Sequence, residues 1–316
     1  MKKISCRILP LSVFVIFSIT QISLAADQDI QTKSEGWIAS GKELLGPSWY
    51  QKNPKTFKTM PNSLLYHLTL DYSYSGQDGN VVTEKHNASA EMVLMKELVT
   101  STTRYTASRS ETEQALTGGA ITVESEKFFQ AVRYPLTDWM QAVAGFTWRT
   151  RDTTKYLDDR RSVFGGALFD LIDQSNFLMT LGGFYSYSDV AYMNSKLKGV
   201  KKYNDFIPID DYSSDSIYLK QSLSWNITDT VTFTENAEYT QILKDTEYYF
   251  WLLKFGLDVK LTQNISFTAS YTMDYEYNSF IEGVQNYLNK RRAVGEPTGN
   301  MEELDTTVSV GVKISF

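Results

Sequence analysis

Apolar and polar residues alternate one by one along many stretches of the chain, and this period of two constrains the fold more than any other feature. Between Ile265 and Tyr277 every odd position is apolar or aromatic and every even position is polar. An α-helix, with a period of 3.6, cannot produce that split, whereas a β-strand directs successive side chains to opposite faces. The pattern recurs in 64–75 and in 304–316. The sequence therefore predicts an all-β protein built from amphipathic strands.

The alternating stretches are longer than the roughly 5 to 6 residues of an average strand in soluble proteins. They match the about 9 to 11 residues with which a tilted strand crosses a lipid bilayer. An even number of such strands is typical of an outer-membrane barrel. The twelve strands that we predict lie at residues 62–75, 81–95, 99–112, 120–134, 139–152, 161–172, 175–191, 215–226, 230–242, 247–261, 264–277 and 303–316.

The connections between these strands fall into two kinds. Three tight connections share a threonine followed by Asp or Gln, at Thr137, Thr228 and Thr262. Such a threonine can bond to the backbone of its own turn, so we interpret the three as an internal repeat. Other connections are long and polar, above all 192–214 and 278–302. Short turns at one end and long loops at the other indicate a transmembrane antiparallel up-and-down β-barrel.

Aromatic residues gather near both ends of the predicted strands. Those that approach the long-loop end include Tyr72, Tyr74, Tyr185 and Tyr187, and those beside the short turns include Trp139, Trp225 and Phe316. Aromatic rings favour the interface between hydrocarbon and water, so two belts predict the two headgroup levels of a membrane. The alternative is a soluble sandwich or a lipocalin-like barrel with its apolar face inward, because alternation does not show which face is wet.

The only long apolar run lies at the beginning of the chain and has the features of a signal peptide. Lys2, Lys3 and Arg7 form a positive region before the apolar run at 11–22. A small-x-small pattern then ends at Ala25, where we expect a signal peptidase to cleave. The sequence therefore predicts export, and with the strand pattern it predicts location in the outer membrane.

Composition excludes two other classes of protein. A mean hydropathy of −0.30 excludes a helical membrane protein with several spans. A formal net charge of −6 argues against nucleic acid as a partner, because that partner requires a basic face. We divide the chain into a signal peptide over 1–25, an N-terminal periplasmic segment over 26–62 and an outer-membrane β-barrel over 63–316. Cleavage removes Cys6, the single cysteine, so the mature chain can form no disulfide.

The N-terminal segment shows a helical period rather than alternation. Ser34 is a candidate N-cap, and Gly46 with Pro47 would end a short helix. The apolar stripe of that helix would contain Trp37, Ile38, Gly41, Leu44 and Leu45. Three placements stay open for the segment: on the membrane interface, inside the lumen as a plug, or as a loosely ordered extension.

No set of residues in the sequence indicates catalysis. His67 falls on the polar face of the first strand, where we expect a hydrogen-bonded lumen residue. His86 and Ser89 are three positions apart in a strand and so lie on opposite faces, which excludes a nucleophile and base pair. The sequence has no phosphate-binding glycine loop, no HExxH and no paired cysteines. We therefore predict that the protein is not an enzyme and has no cofactor.

One long connection carries charges that could meet ions or lipids. The acidic run Asp205, Asp210, Asp211 and Asp215 is the best candidate for a divalent cation, since hard cations take carboxylate ligands. We favour a solvated loop over a defined metal site there. The lysines of the same connection are Lys196, Lys198, Lys201 and Lys202. Lipid phosphates could contact them, but we favour ordinary surface charge here as well. Outer-membrane lipid and lipopolysaccharide are the predicted partners of the barrel as a whole.

Charged residues on the polar face must point into the barrel, because Lys or Arg on the lipid face costs about 2 to 4 kcal/mol at the bilayer midplane. The lumen-lining residues that we predict are Asp71, Arg104, Arg149, Lys254, Asp258, Asp274, Glu276 and Lys313. Glu235 stands on the apolar face instead, and we attribute it to a β-bulge. A narrow passive channel for small solutes is our first hypothesis. The alternative is a non-conducting envelope-interaction barrel with a plugged lumen and adhesive loops.

The last residues of the chain resemble the C-terminal signal by which the barrel-assembly machinery recognises its clients. Ser309, Gly311, Ile314 and Phe316 occupy the four defined positions of that signal. The resemblance implies that this machinery is a partner during biogenesis. It also implies that the last strand completes a membrane barrel.

A broader resemblance extends over 64–316. The segments that carry it are 74–80, 159–166 and 305–316. In these segments the chain resembles a family described as salt-induced outer-membrane proteins, which has no established activity. The resemblance therefore implies an outer-membrane location and a barrel architecture, but no reaction.

Overall fold

A computed structural model describes most of the chain from residue 38 onward. The described residues are 38–45, 48–78, 83–113, 120–152, 157–192, 211–244, 246–277, 279–295 and 303–316. The predicted signal peptide and the N-cap Ser34 lie outside them. None of the helices within these ranges is long and apolar enough to span a membrane.

The described chain contains one short strand, two α-helices and twelve long strands. The N-terminal elements are β1 (Ile38–Ser40) and α1 (Gly41–Leu45). The long strands are β2 (Leu64–Asp78), β3 (Thr83–Lys96), β4 (Val99–Glu113), β5 (Ala120–Pro135), β6 (Met140–Asp152), β7 (Leu157–Asp173), β8 (Phe177–Tyr192), β9 (Tyr212–Asn226), β10 (Val231–Ile242), β11 (Tyr249–Lys260), β12 (Ile265–Tyr277) and β13 (Leu304–Ser315). The second helix, α2 (Ser279–Ala293), precedes β13.

Each long strand pairs with its neighbours in sequence, and β13 pairs with β2, so the sheet closes on itself. All these pairings are antiparallel. The predicted all-β fold, a closed twelve-stranded antiparallel up-and-down barrel, is confirmed. The terminal residue helps to close the seam, because the Phe316 backbone N–H donates to the Leu68 carbonyl at 2.9 Å. β1 lies parallel to β2, with Ile38 opposite Leu64, at the short-turn end of the barrel.

The three threonine turns have a common hydrogen-bond pattern. The hydroxyl oxygen of Thr228 accepts from the backbone N–H of Val231 at 3.0 Å. Thr262 accepts in the same way from Ile265 at 3.0 Å. All three threonines accept from the backbone N–H two residues further on at 3.3 Å, Thr228 from Thr230, Thr262 from Asn264 and Thr137 from Trp139. The predicted repeat therefore has the expected physical basis, with each side chain bonded to its own turn.

The outer face of the barrel is mostly apolar, and the inner face carries most of the charged and polar side chains of the strands. The exposed fraction of Leu181 is 41% and that of Val308 is 58%, although both stand in the middle of long strands. Exposed rings near the long-loop end are those of Tyr72, Tyr74, Tyr185 and Tyr187, and those near the short turns are Trp139, Trp225 and Phe316. A lipocalin-like barrel would have the opposite orientation, with its apolar face inward. The outward apolar face excludes the lipocalin-like barrel, and the closure of the sheet excludes the sandwich.

The predicted bulge at Glu235 is wrong. The pairing of β10 with β9 and with β11 is continuous, and Glu235 faces outward between Leu223 and Phe255. The ladder tolerates it because the residue stands close to an aromatic belt: Phe233, two positions nearer the short turn, pairs with Trp225. Two strand residues span about 7 Å, so the flexible carboxylate can extend to the headgroup level.

The long connection before β13 contains a helix that the sequence analysis did not predict. Val284 and Leu288 of α2 are one helical turn apart and fully buried. Apolar and aromatic residues at positions 280, 281, 284, 287 and 288 have helical spacing, and they were the local signal for the helix. The other long connection, 193–210, lies outside the described residues.

Candidate solute cavity in the barrel lumen

All eight predicted lumen residues stand at inward positions of their strands. Arg104, Arg149 and Asp274 line a cavity of about 530 Å³ inside the barrel. Lys313 and Asp258 form an ion pair within the lumen. Glu276 forms an ion pair with Arg160 of β7. Asp71 and Lys254 interact electrostatically with each other.

The outer end of the cavity contains an ion pair that crosses the lumen. Arg160 Nη2 lies 3.1 Å from Glu276 Oε1. Arg160 belongs to β7 and Glu276 to β12, and these strands are nearly opposite in the ring of twelve. The Arg160 guanidinium also lies 5.0 Å from the centroid of the Phe250 ring. Together these groups narrow the lumen near its long-loop end.

A charged cluster lies nearer the short-turn end. It contains the Lys313–Asp258 pair and an Arg104–Glu91 ion pair. Asp71 and Lys254 complete the cluster: Asp71 interacts electrostatically with Lys254, Lys313 and Arg104, so the cluster links β2, β3, β4, β11 and β13. Both signs of charge are balanced here, and the carboxylates are held by cations that reach them from other strands.

Below this cluster the N-terminal segment occupies the short-turn mouth of the barrel. Trp49 is 1% exposed and packs against Leu65 and Met95, two inward-facing residues of the barrel wall. The Tyr50 ring stacks on His67 with centroids 3.9 Å apart. Burial raises the pKa of the Tyr50 hydroxyl, because its ionised form would lose hydration. Of the three open placements, the described part of the segment takes that of a plug.

Hydrogen bonds fasten this plug to the short turns. Asn53 donates to the Thr137 carbonyl at 2.9 Å and to Asp170 at 3.2 Å. Lys55 donates to the Leu136 carbonyl at 2.7 Å. Lys52 forms an ion pair with Asp173, the last residue of β7, at 2.8 Å. The helix predicted for this segment is only partly present, because residues 38–40 form a strand and α1 has 5 residues.

One wall of the cavity carries aromatic rings that the sequence analysis did not assign to the lumen. Phe164 lies over Gly145, where a Cβ atom would meet its ring at 2.4 Å. Phe184 lies over Gly182 in the same way, at 2.4 Å. The inward glycines let the rings lie along the wall instead of filling the lumen. Gly145, Gly166 and Gly182 occupy inward positions of the neighbouring strands β6, β7 and β8, and they were the available signal.

The rings continue along the wall as a contact series. Phe129 stacks on Phe164 with centroids 6.1 Å apart. Phe164 meets Phe184 edge to face at 5.8 Å, and Phe184 lies 5.4 Å from Tyr218. These separations are typical of favourable aromatic pairs. The lumen wall therefore has an apolar side as well as a charged one.

The residues considered for chemistry have structural partners. His67 is buried in the lumen wall, 3.0 Å from the Thr69 hydroxyl. His86 faces outward and lies 2.8 Å from the Tyr72 hydroxyl, so it is on the face opposite to Ser89. Asp211 accepts from the Tyr192 backbone N–H at 2.9 Å.

The candidate metal site falls mostly outside the described residues, which do not include Asp205, Asp210 or the four lysines of that connection. Asp215 accepts a hydrogen bond from the Tyr185 hydroxyl. Within the described ranges, no group of three or more His, Cys, Asp or Glu side chains could hold a metal ion.

Among solved structures, the chain is similar to a porin, a translocator domain and an outer membrane channel. The NanC porin is 14% identical, with a TM-score of 0.44, and the match covers 78% of this chain and 98% of that one. The translocator domain of the autotransporter NalP from Neisseria meningitidis is 13% identical, with a TM-score of 0.46 and coverage of 87% and 95%. An outer membrane channel from Pseudomonas putida F1 is 9% identical, with a TM-score of 0.45 and coverage of 82% and 97%.

Sequence comparison gives a family but no characterised relative. No curated protein matches the chain. One family, described as "Protein of unknown function, DUF481", matches residues 70–280, which is more than half of the chain. The matched region extends from β2 to the first residues of α2 and so covers most of the barrel. The chain therefore belongs to the DUF481 family.

Proposed function

We propose that the protein is an outer-membrane β-barrel that acts as a narrow passive channel for small solutes. The observation that carries the proposal is the orientation of the wall: apolar side chains face out, and charged side chains face a cavity of about 530 Å³. An apolar outer band between two aromatic belts suits a bilayer, and a polar lumen suits water and solutes. The export signal in the sequence supports the same location.

Two partners belong to this proposal. Outer-membrane lipid and lipopolysaccharide would surround the exposed belts. The barrel-assembly machinery would insert the chain through the signal formed by Ser309, Gly311, Ile314 and Phe316. The position of Phe316 is consistent with that role, because it pairs with β2 where the barrel closes.

In the described structure the N-terminal segment obstructs the short-turn end of the proposed channel. With Trp49 and Tyr50 in the short-turn mouth and the Arg160–Glu276 pair near the other end, the cavity is narrowed at both ends. Flow would then require the N-terminal segment to move. Its contacts are a small apolar cluster, the Tyr50–His67 stack, the short β1–β2 pairing, one ion pair and a few hydrogen bonds. They are far fewer than the contacts of the barrel wall, so displacement costs far less than unfolding of the barrel.

Single-channel recording in a planar bilayer tests this proposal. We expect brief, infrequent openings for the full mature chain and long, steady openings for a variant without residues 26–62. Silence of both forms, each shown to be folded by its heat-modifiable mobility on a gel, would exclude a channel. It would favour a second candidate, a non-conducting envelope-interaction barrel.

The second candidate has its own support in the plug. Asn53 is 1% exposed and bonds to both a turn carbonyl and a lumen carboxylate, which is the arrangement of a fixed structural element. A permanently closed barrel would act through its long loops. No set among the residues that the structure describes supports catalysis, and the absence of enzyme activity stays a prediction that lipase and protease assays can test.

A further inference from the structure

Aromatic rings form a continuous surface on one wall of the cavity. Phe129, Phe164 and Tyr218 all line it. The rings of Phe129 and Phe164 are nearly parallel, with 21° between their planes, and their centroids are 6.1 Å apart. Carbon atoms in contact are only about 3.5 to 4 Å apart, so rings stacked face on face would be much closer. The two rings are therefore displaced sideways along the wall, and neither covers the face of the other.

A buried layer holds this surface in place. Phe184 is 7% exposed and belongs to a buried apolar cluster against which the three lining rings pack. It meets Phe164 edge to face at 5.8 Å and lies 5.4 Å from Tyr218. Rings that are already fixed by their neighbours lose little freedom when a solute binds. The aromatic surface is therefore preorganised.

The charged side chains among the described lining residues are engaged inside the barrel. Those in ion pairs are Arg104 with Glu91, Lys220 with Glu238, and Arg160 with Glu276. The other charged lining residues, Lys127, Arg149 and Asp274, also have partners, so none of them is free. A charged solute would have to compete with these interactions, and removing one partner of a buried pair is costly. A neutral solute would leave them intact.

Two hydroxyl groups lie next to the aromatic surface. Ser162 and Ser188 line the cavity, and their oxygen atoms are 2.7 Å apart. Ser162 is two residues from Phe164 on the same face of β7, a separation of about 7 Å. A hydroxyl has one donor and two acceptor sites, so the pair keeps capacity for a further hydrogen bond. A ring that rests on Phe164 could place its own hydroxyl group within reach of this pair.

The cavity has the size and the mixture of groups that a small molecule requires. Its volume, about 530 Å³, is in the range of small-molecule sites. Such sites combine an apolar lining with a few polar groups that fix the orientation of the ligand. Here the rings provide the apolar surface and the serine pair provides the polar group.

We propose that this wall binds a small neutral aromatic compound of the phenol class on its way through the lumen. The rings of Phe129, Phe164 and Tyr218 would contact its flat face, and the Ser162–Ser188 pair would bond to its hydroxyl group. This inference rests on the proposed function, because it names the class of solute that the channel would carry.

The test is calorimetric titration of the refolded full mature chain in detergent micelles with phenol, cyclohexanol and benzoate, each corrected by a titration of micelles without protein. We expect phenol to bind most tightly. Cyclohexanol has the hydroxyl group but no flat aromatic face, and the charge of benzoate meets cations that already have partners.

Two substitutions in the site should weaken the binding of phenol. Phe164→Leu should weaken it about fivefold, because leucine keeps an apolar side chain but loses the aromatic contact. Ser188→Ala should weaken it about threefold, the effect of one lost neutral hydrogen bond. Heat-modifiable mobility on a gel shows that each variant is folded.

Phe146→Leu is the matched control. Phe146 belongs to β6 and faces the outside of the barrel, directly opposite Val163, which is 53% exposed. The control makes the same change and should leave phenol binding unchanged. The proposal is overturned if Phe164→Leu and Phe146→Leu have equal effects, or if Ser188→Ala binds phenol as tightly as the unmodified chain. Binding of cyclohexanol or benzoate as tight as that of phenol would overturn it too.

Binding and conduction separate the two proposals. A barrel that binds phenol but never conducts would exclude the channel and leave the binding site intact. A barrel that conducts but does not bind phenol would leave the channel intact and exclude the site.

Discussion

The ion pair between Arg160 and Glu276 should couple two opposite walls of the barrel energetically. Glu276 is 5% exposed, and its carboxylate lies 3.1 Å from the guanidinium. Arg160→Gln would leave this carboxylate buried without its cation, which should cost about 3 kcal/mol. Glu276→Gln should cost about 1 to 2 kcal/mol, because Arg160 retains the face of Phe250 and can be hydrated from the cavity.

A double-mutant cycle measures the coupling. We expect the double variant to be more stable than the sum of the single effects predicts, by about 2 kcal/mol, since it contains neither lone charge. The assay is urea unfolding of the refolded barrel in lipid vesicles, followed by tryptophan fluorescence. The control cycle uses Lys220 and Glu238, whose side chains are more exposed at 35% and 30%; its coupling should stay below about 1 kcal/mol. If the losses of stability in the two single variants sum to that of the double variant within about 0.5 kcal/mol, the Arg160–Glu276 pair does not couple the two walls, and the reasoning is refuted.

Three further predictions concern the plug, the seam and the turns. Trp49→Ala should release the plug and increase the open time in planar bilayers, while Trp49→Phe should do so much less; equal behaviour would contradict a packed plug. Gly311→Ala should destabilise the barrel by about 1 to 3 kcal/mol in urea, because its Cβ would lie 2.4 Å from the Tyr72 carbonyl oxygen. The methyl group added by Gly183→Ala has room, so this variant should be nearly as stable as the wild type. A similar loss of stability in Gly183→Ala and Gly311→Ala would refute the clash at the seam. Thr228→Val should cost about 1 kcal/mol in the same assay and Thr228→Ser much less, because serine keeps the turn hydroxyl; equal losses would count against the turn bond.

The barrel could be predicted from sequence because its determinants are local. Alternation in a strand such as β12 assigns each side chain to a face, and the threonine turns mark where the chain reverses. Inward placement of Lys313 and Asp258 follows from the same alternation, since a cation on the outer face would meet lipid. Their ion pair does not follow, because it depends on which strands the closed barrel brings together.

Other features depend on contacts between residues that are distant in sequence. Trp49 is buried in the lumen because Leu65 and Met95 provide an apolar surface against which it packs. Nothing near Phe164 in the sequence indicates that Gly145 of the neighbouring strand makes room for its ring. The Glu235 prediction failed because periodicity alone cannot show how close a residue lies to the headgroup level.

Labelling of adjacent positions on one strand tests most directly which face of the barrel meets hydrocarbon. The predicted mature chain has no cysteine, so Tyr271→Cys and Thr272→Cys each introduce a single thiol on β12. We expect a charged thiol reagent to modify position 272 in vesicles and to spare 271, and we expect a quencher attached to lipid tails to reach a fluorophore only at 271. The reverse pattern, or equal modification of both positions, would contradict a barrel with a lipid-facing outer wall and an aqueous lumen.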